Sequence, residues 1–298
     1  MVLTITMREA LKVTTAALKF GRRHLKDVSP QTRSYSSNTL GIMESSHALR
    51  AAYKAHFLAR AYVEAYGVKT GEVSTFQVEE VHRIFQSGLV QGGTLVEVGS
   101  GPLVWCSLLA SRRFRHIVLS DLLENNRLEI NKWLNKDEDA VDWTFRAEQV
   151  AALEGYRDVK SGALEIQERA RSSIRKVVPC DVLESGVLPE EHREVFDVVF
   201  SGGCLESATT DHESFRYAVC NVGTLAKPGG LLVLVGVGGT KSYPVGTAAF
   251  AQANVTENVI KQSVRDAGFQ MQIYRTKHHE VLLGLPGLFT FVLAARKS

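Results

Sequence analysis

The chain has 298 residues, 45% of them apolar, enough to bury the core of one large domain or of one domain with extensions. No run approaches the roughly 18 apolar residues of a membrane span, and the four cysteines (Cys106, Cys180, Cys204, Cys220) include no CxxC pair. A membrane protein, a disulfide scaffold and a zinc site are therefore not expected, and the thiols read as reduced and intracellular. The net charge of +3 comes from one end: residues 1–40 hold seven Lys and Arg against Glu9 and Asp27. The remainder is near neutral and offers no basic face for nucleic acid.

In chain order, residues 1–44 form a basic, Ser- and Thr-rich, acid-poor extension. Residues 7–25 can make an amphipathic helix carrying Arg8, Lys12, Lys19, Arg22 and Arg23. "RSYSS" (33–37) resembles a matrix-peptidase site, so the segment reads as a mitochondrial transit peptide, with a cytoplasmic location the alternative. A domain is expected from 45 to 298. Apolar residues at helical spacing from 45 to 86, with Phe57, Ala61, Tyr62 and Ala65 on one face, predict a helical lead-in. Strands are then expected at 94–98, 116–120, 173–180, 195–201 and 231–237. Helices are expected at about 103–112, 125–135, 213–226 and 255–267, the third ended by Pro228 and Gly229 in "KPGG". A charged helical insertion at about 139–175 separates the second and third strands. The last two strands, "FQMQIYR" and "GLFTFVLAA", have no helix between them and predict an antiparallel hairpin closing a mostly parallel, seven-stranded α/β sheet.

Chemistry-bearing residues fall at successive strand ends. "EVGSGP" (97–102) places Gly99 and Gly101 after the first strand, where a backbone free of Cβ can turn sharply and approach a ligand. Asp121 closes the second strand at the spacing of an acid that takes ribose hydroxyls. Asp181 follows the third, placed to accept from an adenine amine. "SGG" (201–203) follows the fourth. Each acid alone is also an ordinary helix cap or loop acid. A dinucleotide fingerprint requires a third glycine where Val104 stands, and no Walker lysine follows, so the pattern suits a nucleoside without a pyrophosphate, such as S-adenosylmethionine.

From here the chain resembles the small-molecule N-methyltransferases that include the nicotinamide, phenylethanolamine and indolethylamine enzymes. The resemblance rests on "HFLARAYVEAYG" (56–67), "EVGSGP", "SDLLENN" (120–126), "NKWLNKDEDAVDW" (131–143), "CDV" (180–182), "CLES" (204–207), "AKPGGLLVL" (226–234) and "GLFTFVLAARK" (287–297), in order across residues 50–298. It implies a Rossmann-like class I methyltransferase fold with an N-terminal helical lid. It implies S-adenosyl-L-methionine as cofactor, no metal, a small amine or pyridine acceptor and a monomer. Tyr62 and Tyr66 are then expected to close over the cofactor, and Gly99, Ser100 and Gly101 to line its amino-acid part. Asp121 holds the ribose, with Asn126 nearby. Asp181 and Val182 flank adenine, Gly202 lies beside the methionine portion, and Trp105 stands where the family usually has tyrosine. Glu206 and Tyr62 are the candidate catalytic residues, Glu206 as the acid near an amine acceptor.

Two positions depart from the family. Tyr66 is followed by Gly67 where a second tyrosine is common. Gly236 stands at the end of the fifth strand where relatives place an acceptor-binding carboxylate. That second departure leaves an inactive S-adenosylmethionine-binding protein as the alternative reading.

Overall fold

The computed structural model describes residues 36–68, 71–279 and 287–298; the basic segment 1–35 lies outside them. Residues Ile42–Ser298 form one compact unit. The lead-in is not continuous. α1 (Ser36–His56) is followed by a one-turn α2 (Ala59–Tyr62), a π turn over Val63–Gly67 and α3 (Glu72–Gln86). The break coincides with a tertiary contact. A Cβ on Gly67 would lie 3.0 Å from both Leu103 and Trp143, so a larger residue there needs both side chains to give way. The buried Arg146 guanidinium then takes the Gly67 carbonyl, Nε donating at 2.6 Å.

Five strands run parallel: β1 (Thr94–Val98), β2 (His116–Asp121), β3 (Ile174–Pro179), β4 (Phe196–Gly202) and β5 (Ala226–Gly238). β9 (Phe289–Lys297) is antiparallel to both β5 and β8 (Phe269–His278), giving the order β3-β2-β1-β4-β5-β9-β8. This is the seven-stranded sheet with a closing antiparallel pair that the pattern predicts. Strand alternation divides the core into two layers. Leu95, Leu119, Phe200 and Val233 face one side with Phe85, Phe114 and Trp133. Val96, Val118, Val199 and Leu234 face the other with Phe215, Ile260 and Phe269. The crossover helices are α4 (Trp105–Ala110), α5 (Glu124–Asn135), α6 (Thr144–Leu153), α7 (Val159–Ser173), α8 (His212–Gly223) and α9 (Glu257–Asp266).

Two details differ from the sequence pattern. α8 stops at Gly223, before "KPGG"; Phe269 packs beside that glycine, 2.8 Å from any added Cβ. "KPGG" instead opens β5, where the register slips between Phe196↔Ala226 and Val198↔Leu231. A second, two-stranded sheet, β6 (Ser242–Val245) with β7 (Ala248–Ala251), follows β5 unannounced. No helix among the described residues is long and apolar enough to cross a membrane.

Candidate functional site

The strand order reverses between β1 and β4, and a cleft of about 870 Å³, counting its open mouth, lies at the carboxyl ends of β1 to β4. The turn after β1 forms its floor. Gly99 and Gly101 both have left-handed φ (72° and 61°). At Gly99 the requirement is also steric, since a Cβ would meet Cys204 Sγ at 2.1 Å. The loop is pinned to β2 by its own backbone. The N–H groups of Gly99 and Ser100 donate to the Ser120 carbonyl at 2.8 and 3.0 Å, and the Gly101 N–H donates to Asp121 Oδ2 at 2.8 Å.

Asp121 is buried at the edge of that floor. Its Oδ1 accepts from the Leu123 N–H and the Asn126 amide at 2.8 and 2.9 Å. Burial raises its pKa above the ordinary carboxylate value, while these donors oppose the rise. At the end of β3, Cys180, Asp181 and Val182 form a side wall, with Asp181 Oδ1 taking the Leu183 N–H at 3.0 Å. Gly202, at the end of β4, faces Trp105, whose ring packs edge-on against Phe200. Tyr62 completes the roof; burial pushes its hydroxyl well above the usual pKa, so it is a neutral phenol.

Ten of the residues singled out from sequence therefore line one cleft: Tyr62, Gly99, Ser100, Gly101, Trp105, Asp121, Asn126, Asp181, Val182 and Gly202. Two do not. Tyr66 turns outward, and its hydroxyl donates to the Pro244 carbonyl at 2.8 Å, tying the π turn to the β6–β7 hairpin. Glu206 is buried behind the wall made by Cys204 and Ser207. Its Oε1 accepts the Val237 N–H at 3.0 Å, and burial lifts its pKa to about 7. A Cβ on Gly236 would lie 2.4 Å from that oxygen and 2.7 Å from the Phe291 ring. The absent fifth-strand side chain thus has a steric reason: Glu206 and Phe291 occupy its place.

Other lining residues were not read as site residues. Glu97, visible as the acid that closes the first apolar run, is buried, and its Oε2 has no partner among the described residues. Burial raises its pKa to about 8, against the Cys106 hydrogen bond that lowers it. A buried carboxyl oxygen without a partner is costly unless a ligand supplies one. Tyr53 and Tyr243 meet across the roof, hydroxyl to hydroxyl at 2.7 Å, with Tyr53 stacked on Phe250 at a centroid separation of 4.5 Å. Tyr243 lies on the unpredicted hairpin, so no strand-end signal announced it.

The model of the NNMT/PNMT/TEMT family matches residues 45–298. The chain is similar to indolethylamine N-methyltransferase of Oryctolagus cuniculus, 34% identical over 74% of this chain and 85% of the relative. It is similar to nicotinamide N-methyltransferase of Homo sapiens at 31%, over 86% and 98%. Phenylethanolamine N-methyltransferase of Sus scrofa is 28% identical over 86% and 89%. Among solved structures, magnesium protoporphyrin IX methyltransferase from Synechocystis PCC 6803 with bound SAH shares the fold, with a TM-score of 0.51 at 12% identity, over 85% of this chain and 99% of that one.

Proposed function

The chain belongs to the NNMT/PNMT/TEMT family, and from that premise we propose that its cleft binds S-adenosylmethionine and directs methyl transfer to the nitrogen of a small amine or N-heteroaromatic. One observation carries the reading. A turn with left-handed φ at Gly99 and Gly101, a buried Asp121 and the Glu97 oxygen that lacks a partner among the described residues converge at the switch point of the sheet. These groups fit the three parts of the cofactor. Asp121, with Asn126 beside it, suits ribose hydroxyls, and Asp181 and Val182 suit adenine. Glu97 suits an ammonium, and the Gly99–Gly101 turn leaves the amino-acid part room beside it. When bound, S-adenosylmethionine supplies a methyl group on a positively charged sulfur, open to in-line displacement.

The chain's own residues do the rest by positioning and by excluding water. Tyr62 and Trp105 cover the region between the glycine turn and β4. The rings of Tyr53, Phe57 and Tyr243 wall the remaining space, which suits a flat acceptor, and their faces favour the positive charge that appears on its nitrogen. An acceptor amine has to arrive neutral or lose its proton to water, because the Glu206 carboxyl in this pose does not reach the cleft surface. Calorimetry with S-adenosylmethionine and with NAD, followed by a methyl-transfer screen over amines and pyridines, tests the proposal. Binding of the first ligand alone and turnover of at least one acceptor are expected; binding without turnover of any acceptor refutes the catalytic part.

A further inference from the structure

α1 is fastened over the cleft by polar ties from Ser45, Arg50 and Tyr53 on one helical face. Ser45 Oγ meets Thr210 Oγ1 at 2.9 Å, Arg50 reaches Asp181 and Glu184, and the Tyr53 hydroxyl donates to the Ser207 carbonyl at 3.1 Å. Ser46 and Leu49 are buried beneath the same face. Among these ties only that of Arg50 is between charges. Its Nη1 donates to Asp181 Oδ2 and, at 3.3 Å, to Glu184 Oε1; its Nη2 lies against His47 Nδ1. The side chains of Arg50 and Asp181 are 20% and 19% exposed, whereas that of Glu184 is 63% exposed. The Asp181 bond is therefore the shielded, charge-assisted one, and the Glu184 contact is screened by solvent.

Arg50 and Asp181 both line the cleft, from opposite elements: one on the roof helix, the other at the end of β3. Asp181 uses its second oxygen to hold the Leu183 N–H, so it stays fixed to the wall while Arg50 holds the helix to it. We propose that Arg50 is a positioning residue that seats α1 over the nucleoside end of the cleft through Asp181 and thereby sets how long a nucleoside ligand stays bound. This rests on the cofactor reading above. The physical link is a population. Ligand affinity scales with the fraction of molecules in which the roof is seated, and exchange waits for the roof to lift.

The test uses the full chain and measures the dissociation rate of S-adenosylhomocysteine and the KM values for S-adenosylmethionine and for an acceptor. Arg50→Gln is expected to speed dissociation about fivefold or more and to raise the S-adenosylmethionine KM in step; the acceptor KM rises too where Tyr53 lifts with α1. Arg50→Lys restores most of the loss. Glu184→Gln changes dissociation less than about twofold, as an exposed pair does. Dissociation from Arg50→Gln at the wild-type rate overturns the proposal. So does faster dissociation that Arg50→Lys fails to restore, which marks general damage. If Arg50→Gln does not fold, Arg50→Met, which keeps the aliphatic stem, decides by the same readout, and dissociation at the wild-type rate overturns the proposal. Wild-type protein that binds no S-adenosylhomocysteine refutes the cofactor reading instead.

Discussion

The two ends of the cleft are built differently. The proposed cofactor end comes from consecutive strand ends, β1 to β4, where backbone N–H groups, glycine conformation and buried acids are fixed by the sheet itself. The proposed acceptor end is assembled from α1, the π turn and the β6–β7 hairpin, held together by side-chain hydroxyls and stacked rings. The first is rigid because any change strains the sheet. The second is tied by contacts that one substitution can release. The two ends should therefore respond differently to mutation: losses of stability and cofactor binding at the first, shifts of acceptor preference at the second.

The largest expected effect is at the floor. Gly99→Ala puts a Cβ on a left-handed residue and into Cys204, and we expect a loss of about 3 kcal/mol of stability from backbone strain and overpacking together, read by chemical denaturation. A neutral outcome means that the turn is far softer than its hydrogen bonds imply. Next, Asp121→Ala should weaken S-adenosylmethionine binding by about 1.5–3 kcal/mol, the range for hydrogen bonds to a charged group, measured by calorimetry on folded protein. Unchanged affinity removes Asp121 from the ribose.

Titration separates the two ends as well. Glu97 and Glu206 have folded pKa values of about 8 and about 7, above the ordinary 4.5. The folded state holds these protons more tightly than the unfolded chain does. The stability this contributes is full below about pH 4.5 and is lost as pH rises through 7 and 8. The melting temperature of the ligand-free protein should fall over that window. Glu97→Gln should flatten the fall more than Glu206→Gln, because its pKa is displaced further. A fall of the same size in both variants and the wild type contradicts the assignment.

The smallest expected effect concerns the acceptor. With its carboxyl turned to Val237, Glu206→Gln should lower kcat/KM for amines and pyridines alike by less than about 0.7 kcal/mol. A loss of tenfold or more confined to protonatable amines means instead that the carboxyl swings into the cleft, as the family pattern read from sequence implies.

The sheet and the proposed cofactor end were legible in the order of residues along the chain. Alternating apolar runs placed all seven strands of the main sheet, and glycines or acids at the ends of the runs marked the floor. In a parallel sheet the strand end is the ligand site, so position along the chain and position in space coincide. The lead-in break at Gly67, the β6–β7 hairpin and the fate of Glu206 were not legible there. Each depends on packing between residues far apart in the chain: Gly67 against Leu103 and Trp143, Tyr243 against Tyr53, and Glu206 with Phe291 against the missing side chain of Gly236. A residue type records what a position can do. Which way its side chain faces depends on the packed fold, because that is settled by the volume its distant neighbours leave free.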